Sequence, residues 1–311
     1  MTVLTIPHHM SYSSLSKYLD CGEKYRLERY KLADQDYYAS AGGTVIHQIV
    51  EDLELSGDRD VDPDLFEHLF VEEVVRREQS GLLLPSGKEQ KEFGWNGGPN
   101  KKDALWWLYY GPQIVQAYVR WRNETSWQLW GEPEIEFDIE IAGVQVIGKI
   151  DQVRYDPSTD AYICNDVKTG NDPPSKLQLG IYQIALEQMF GIHASAGAFI
   201  KPWSAKEYET VIGPRGGRSK RLVSEEIRVS ANPFPLSFDT EQIGKLVSDA
   251  RRNIEHGVFM ASPGPGCSYC PVKDYCWIMG GERAMALPLH DEIEISENII
   301  TRNEEEEDGE Q

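Results

Sequence analysis

The chain has 311 residues, 40% of them apolar, enough for a substantial core in one large domain or two small ones. No stretch approaches the ~20 consecutive apolar residues of a membrane span, and the opening MTVLTIPHHMSYSS lacks the charged-then-apolar pattern of a secretory signal, so the expected location is the cytoplasm. The net charge of −20 disfavours non-specific adsorption to phosphate, and setting aside Glu304, Glu305, Glu306, Glu307, Asp308 and Glu310 as an acidic tail still leaves about −14.

Residues 11–31 read SYSSLSKYLDCGEKYRLERYK. Ser13 or Ser14 can cap a helix whose Leu15, Tyr18 and Leu19 share a face, and a second amphipathic segment with Tyr25 and Tyr30 follows Cys21. By itself Cys21 suits a small buried hydrophobe as well as a ligand. Residues 42–51, GGTVIHQIVE, predict a helix that begins at Gly43-Thr44 and sets His47 and Glu51 four apart on one face. A lone histidine in such a helix is more often structural than a ligand. Residues 52–130 carry helical stretches near 64–78 and 103–127, separated by a loop at 82–102 rich in Gly, Pro and Lys. Trp106, Trp107, Tyr109 and Tyr110 form a dense aromatic group that suits core packing, with stacking of unpaired bases as the alternative.

Residues 134–141 alternate, placing Ile135, Phe137, Ile139 and Ile141 on one face. Ala142-Gly143 turns the chain and 144–153 returns, a hairpin leading to Asp151. After a turn at 155–160 comes YICNDVKTG, residues 162–170, an apolar β-prone run that ends in Asp166, Val167 and Lys168 before a Thr169-Gly170 turn. On a strand Asp166 and Lys168 point to the same side, and adjacent antiparallel strands bring Asp151 beside Asp166. Paired carboxylates hold a hard divalent cation, and a lysine next to them can orient or deprotonate a water. The alternative for Asp-x-Lys alone is a surface salt bridge.

A polar loop with Pro173 and Pro174 precedes a helix over 176–190, where Gln178 and Tyr182 sit four apart. For such a pair a half-buried aromatic and a solvent-facing amide is the commoner arrangement. Residues 196–201 predict the next strand. The run GPRGGRSKR at 213–221 predicts a Gly-rich basic loop, either solvated or contacting phosphate. It lacks the G-x-x-x-x-G-K-[ST] pattern of a motor domain, which occurs nowhere in the chain. A long helix over 239–255 leads to Cys267, Cys270 and Cys276, spaced C-x2-C-x5-C among Pro263, Pro265 and Pro271. Five cysteines in a cytosolic chain argue for a metal or a reactive thiol rather than for disulfides. Three cysteines in ten residues with an unpaired thiol far upstream are a more specific signal than one C-x-x-C, and tetrahedral thiolate sites suit zinc as well as iron–sulfur, which spacing does not separate. Cys164 falls within the central strand as a core residue, and little fixed structure is expected beyond residue 285.

Taken in order, these features resemble the RecB-like exonuclease branch of the PD-(D/E)xK superfamily. They are Cys21, Gly43-x-x-x-His47-x-x-x-Glu51, Asp151, Asp166-x-Lys168, Gln178-x-x-x-Tyr182 and the cysteine trio. Members of that branch with a four-cysteine iron–sulfur cluster include the CRISPR-associated RecB-like nucleases. The resemblance implies an α/β restriction-endonuclease-like core, a mixed β-sheet flanked by helices, in a single domain over 1–285. Within it fall an N-terminal segment at 1–40, a helical insertion at 52–130, a catalytic core at 131–202 and a C-terminal Cys-rich iron–sulfur knuckle at 259–280, with an acidic, disordered tail at 286–311.

The resemblance also implies site roles. Asp151, Asp166, Lys168, Gln178 and Tyr182 are the catalytic set, the last two positioning the nucleic-acid strand. Mg2+ or Mn2+ is bound by His47, Asp151, Asp166 and the Val167 carbonyl, with Glu51 orienting His47 or lying near the metal. A [4Fe–4S] cluster sits on Cys21, Cys267, Cys270 and Cys276, Zn2+ being the alternative there. Asp166 stands where many members have glutamate. The implied activity is that of a metal-dependent DNA exonuclease hydrolysing phosphodiester bonds on single-stranded DNA or DNA ends, in recombination, repair or phage DNA processing. Its partners are DNA and a separate helicase or recombination protein, with no membrane. The competing readings are a non-catalytic DNA-binding subunit of a recombination complex with a structural metal cluster, and a zinc-stabilised scaffold whose acidic surface docks a protein.

Overall fold

A computed structural model describes residues 3–30, 38–79, 102–170, 175–212, 217–288 and 291–296. The predicted loop at 82–101, Pro173 and Pro174, and the acidic residues from 297 onward lie outside the described residues. Strand β1 (Val3–Pro7) precedes two short helices, α1 (Tyr12–Asp20) and α2 (Gly22–Glu28), which meet at Cys21. The cap of α1 is Ser11, one turn earlier in role than Ser13 or Ser14. Its Oγ accepts from the Ser14 N–H at 3.2 Å, while the Ser14 Oγ accepts from the Ser11 N–H at 2.9 Å. This reciprocal pairing satisfies two amide donors that the helix itself leaves free.

Helix α3 (Tyr38–Ser56) begins five residues before the predicted Gly43-Thr44 start, so both glycines are interior. The reason is tertiary. Helices α4 (Leu65–Gln79) and α5 (Ala104–Glu124) pack on α3, and a Cβ at Gly42 would lie 2.2 Å from the Trp107 ring. That close approach demands glycine and outweighs its poor helix propensity. The rings of Phe66 and Phe70 stack at 5.6 Å, and those of Phe66 and Trp107 at 6.2 Å. The aromatic group therefore divides: Trp107 is core and Tyr109 faces solvent.

The central sheet is built from β2 (Gln128–Trp130), β5 (Gln152–Asp156), β6 (Ala161–Val167), β7 (Ala194–Ile212) and β8 (Arg218–Ala231), in that spatial order, with β9 (Phe234–Pro235) on β7. The hairpin β3 (Ile135–Ile141) and β4 (Val144–Ile150) forms a separate antiparallel pair. Pairing is antiparallel for β5–β6 and β7–β8 and parallel for β6–β7, where α6 (Leu177–Phe190) makes the crossover. Helix α6 buries Leu179, Ile181, Tyr182, Ile184 and Leu186 together because the sheet lies on one side of it and β3 on the other. Helix α7 (Thr240–Glu255) closes this core with Ile243, Val247 and Ile254. The mixed sheet flanked by helices fits the expected restriction-endonuclease-like core.

Two expectations are corrected. Residues 218–221 are not loop but the first residues of β8, paired with Glu209–Ile212 of a strand that runs far past the predicted 196–201. The Gly and charge content hid a strand that owes its order to its partner. Nor is the chain beyond 285 without structure: β10 (Glu292–Ser296) pairs in parallel with β1. Ile293 packs against the core, and Asp291 accepts from Arg26 at 2.9 Å. Two isoleucines among acids give too short an alternation to read locally, and the pairing partner lies at the other end of the chain. No helix of the described residues is long and apolar enough to cross a membrane.

Candidate metal centre and its lysine

Asp151 sits at the bend between β4 and β5. The register Gln152 with Asn165 and Val153 with Cys164 continues to place Asp151 across from the end of β6, where its Oδ2 accepts from the Val167 N–H at 2.8 Å. The Glu134 N–H donates to the Asp151 carbonyl at 2.9 Å. Helix α3 brings in His47, whose Nδ1 lies 3.7 Å from Asp151 Oδ2 and 3.9 Å from Glu134 Oε1. One ligand atom each from His47, Glu134 and Asp151 fall within 4.8 Å of one another. An open cleft of about 510 Å³, lined by Gly43, His47, Glu51 and Glu134, leads to this group. Glu51 is thus beside the site, with its pKa raised by burial and by Glu134.

A buried polar network holds α3 against β5. Glu54, two turns after His47, accepts at Oε1 from Tyr118 at 2.6 Å, Arg154 at 2.7 Å and Arg122 at 3.0 Å. Gln152, next to Asp151, donates to the Tyr118 hydroxyl at 2.8 Å. The helix that carries His47 and the strand that follows Asp151 are therefore tied through one carboxylate.

The electrostatics are those of too many acids in a dry place. Burial, then the charges of Asp166 and Glu134, push the Asp151 carboxyl up to about 7 against the opposing pull of His47. Asp166 is raised by burial, with Lys168 pulling the other way. Burial alone would lower His47, but Glu134, Asp151 and Asp166 outweigh it and hold the imidazole above its ordinary value. Lys168 Nζ lies 2.7 Å from Asp166 Oδ2, yet that buried oxygen has no aligned hydrogen-bond donor. Carboxylate oxygens and an imidazole with mutual repulsion are the donor set for a hard divalent cation, whose charge removes the repulsion. The residues present fit such an ion.

Lys168 is also held from behind. Its ammonium donates to Gln178 Oε1 at 3.1 Å, and Gln178 Nε2 donates to the Tyr182 hydroxyl at 2.7 Å. Both ends of the amide are engaged, and Tyr182 is buried with a pKa well above its ordinary value through burial and the charges of Asp151 and Asp166. The geometry places this pair behind Lys168, not on an open surface.

Glu134 is not in the predicted ligand set, where it stands only as the first residue of a strand. It precedes β3 in a left-handed turn conformation, φ 53°, and its carboxylate lies with His47 and Asp151; Pro133 before it is the available hint. Lys102 is outside the predicted set too. It donates to the Thr169 carbonyl at 3.0 Å from above the Trp106 ring, placing another cation at the end of β6.

The predicted thiolate set shares one neighbourhood. Cys21 Sγ accepts from the Ser262 N–H at 3.4 Å, and at Gly22 a Cβ would meet the Met260 backbone at 2.8 Å, so the two chain ends touch. Burial pushes the Cys270 thiol up, with Cys276 and Cys21 adding to it against Lys24. Their sulfurs are not gathered to ligand spacing as His47, Glu134 and Asp151 are. Cys164 is buried in β6, as expected.

Three comparisons bear on this geometry. The sequence profile of the PD-(D/E)XK nuclease superfamily matches residues 9–277. The Gene 69 protein of Mycobacterium phage L5 is 24% identical over 300 residues, covering 86% of this chain and 95% of that protein. The Gene 69 protein of Mycobacterium phage D29 is 25% identical over 299 residues, covering 89% and 98%. A solved chain described as "Crystal structure of SSO0001" overlaps 57% of this chain and 72% of that one at 15% identity with a TM-score of 0.31, and carries no weight here. With that profile running over residues 9–277, most of its length, the chain belongs to the PD-(D/E)XK nuclease superfamily.

Proposed function

We infer that this nuclease is a metal-dependent DNA exonuclease of the RecB-like type, working on single-stranded DNA or DNA ends in recombination, repair or phage DNA processing. The observation that carries the reading is the convergence of His47, Glu134 and Asp151 beside the Asp166–Lys168 ion pair. His47, Asp151 and Asp166, with the Val167 carbonyl and Glu134, would hold Mg2+ or Mn2+. Bound there, the ion supplies positive charge to the phosphate and makes a water more acidic. Lys168 orients the attacking water and stabilises charge on the phosphate oxygens. Gln178 and Tyr182 act through Lys168: the glutamine carbonyl fixes the ammonium, and the tyrosine hydroxyl fixes the glutamine. Tyr182 keeps its proton because its surroundings disfavour a further negative charge. Lys102 adds a cation at the rim where a phosphate backbone would pass.

Cys21, Cys267, Cys270 and Cys276 are proposed to hold a [4Fe–4S] cluster that joins the N-terminal helices to the C-terminal turns. The contact of the Cys21 segment with residues 260–262 supports this reading, and closing the four sulfurs to ligand spacing is left to the bound cluster or zinc, which replaces the thiol protons. The proposed test is cleavage of 5′- and 3′-labelled single and double strands with Mg2+ or Mn2+, for wild type, Asp166→Ala and Lys168→Ala. Both variants are expected to fold and to lose cleavage. Near-normal activity in either one sinks the site assignment, and cutting of closed circles as fast as linear DNA sinks the exonuclease assignment.

A further inference from the structure

The β7–β8 hairpin is longer than the sheet requires. β6 ends at Val167, opposite Ile200, and the Lys168 N–H donates to the Ile200 carbonyl at 2.9 Å. β7 then continues in the same direction for twelve residues, Lys201 to Ile212. At about 3.3 Å per residue this extends roughly 40 Å past the end of the sheet that carries Asp166 and Lys168. The base of this arm is anchored: Ile227 is buried under α5, Arg120 donates to its carbonyl at 2.9 Å, and Tyr110 donates to Glu225 at 3.2 Å. Beyond Glu207 the anchoring stops. Among the described residues, the side-chain hydrogen bonds and ion pairs of Tyr208–Ile212 and of residues 218–224 stay within the arm.

The outer arm has two unlike faces. The register pairs Tyr208 with Leu222, Thr210 with Lys220 and Ile212 with Arg218, so these six side chains share a face. Tyr208 is 53% exposed, Ile212 67% and Leu222 45%. No carboxylate lies on this face. The acid of the outer arm, Glu209, is on the other face, paired with Arg221. Between the arm and its base, Glu207 pairs with Ser224 and Tyr208 with Leu222, leaving Val223 as a bulge that adds twist. In a chain of net charge −20, a carboxylate-free strip with two cations, an aromatic ring and exposed aliphatic groups is a local exception.

We propose that the Tyr208, Lys220 and Arg218 face of this arm lies in the groove of double-stranded DNA, so that the substrate is a strand end attached to duplex. This rests on the nuclease reading of the metal centre. A two-stranded β-ribbon matches the roughly 12 Å width of the major groove. Its cations meet the phosphates at the groove edge, and its apolar groups meet base edges such as thymine methyls. The arm leaves the sheet at the end where cleavage would occur, so duplex gripped there flanks the scissile strand. The free part of the arm, Tyr208 to Ile212, spans five residues, roughly 16 Å, or about 5 base pairs at 3.4 Å each.

The test is fluorescence anisotropy in EDTA, where no cleavage occurs, with the full chain. One probe is a 20-bp duplex bearing a 10-nucleotide overhang, and the other is a 30-nucleotide single strand. Arg218→Ala/Lys220→Ala and Tyr208→Ala/Leu222→Ala are each expected to weaken duplex binding roughly tenfold and leave the single strand within about twofold. The charge variant should also lower the salt slope on duplex by about two units, one per phosphate contact. An Arg218→Lys/Lys220→Arg variant should bind as wild type. Equal losses on both probes, or no loss on either, overturn the proposal. So does unchanged DNA binding with a lowered mass in light scattering, which makes the face a contact between copies. If wild type binds duplex through the arm but cuts nothing with Mg2+ or Mn2+, the nuclease reading fails while the arm's assignment stands.

Discussion

The adjacent glycines of α3 should respond in opposite ways to alanine. In a helix interior, glycine to alanine gains about 1 kcal/mol. At Gly42 the new Cβ would lie 2.2 to 2.5 Å from three atoms of Trp107. That ring is 1% exposed and is wedged against Phe66 and Phe70, at 6.2 and 6.4 Å between centroids, so it has nowhere to go. Overpacking a filled core costs about 1–3 kcal/mol or more, and a rigid indole puts this site at or above the top of that range. The net loss for Gly42→Ala is about 2 kcal/mol, a drop in Tm of roughly 3 °C for a domain of this size. At Gly43 the added Cβ meets the Thr169 Oγ1 at 3.2 Å, the end of a side chain able to rotate. Gly43→Ala should hold or raise Tm. Because His47 follows on the same helix, Gly42→Ala should also weaken Mn2+ binding, and Gly43→Ala should not. Calorimetric melts and isothermal titration with Mn2+ read both effects. A Gly42→Ala protein that melts at or above wild type refutes the packing argument.

Three further outcomes are expected. Glu134→Gln removes a carboxylate from the metal group while keeping its shape, and should weaken Mn2+ binding by roughly tenfold or more; titration with affinity unchanged removes Glu134 from the site. Cys21→Ala should behave as Cys270→Ala does, losing brown colour and melting earlier, and a full iron and sulfide content in the Cys21 variant removes Cys21 from the ligand set. Metal-free protein should lose stability as pH rises from about 4 to about 7: Asp151, pushed up to about 7, keeps its proton in the folded state where the unfolded chain has released it. Added Mg2+ should reverse that trend above pH 7. A metal-free Tm that climbs steadily across this range contradicts the crowding of acids at Asp151.

The local pattern was sufficient for much of this protein. Alternation marked β3, the strand spacing put Asp166 and Lys168 on one side, and helical spacing put Gln178 and Tyr182 on one face, because each of these signals is carried by residues within a few positions of one another. Other features depended on partners distant in sequence. Glu134 comes beside His47 and Asp151 at a positive φ and through the hairpin that returns to Asp151. Lys102 reaches Thr169 because α5 docks at the end of β6. The early start of α3 follows from Trp107 lying against Gly42. β10 exists because β1 offers it an edge, and β8 because β7 runs on far enough to pair with a basic, glycine-rich run. A strand's backbone groups are satisfied across the sheet and a helix's glycine is justified by the neighbour it admits. Such energies belong to pairs of segments, and no window of sequence contains both members.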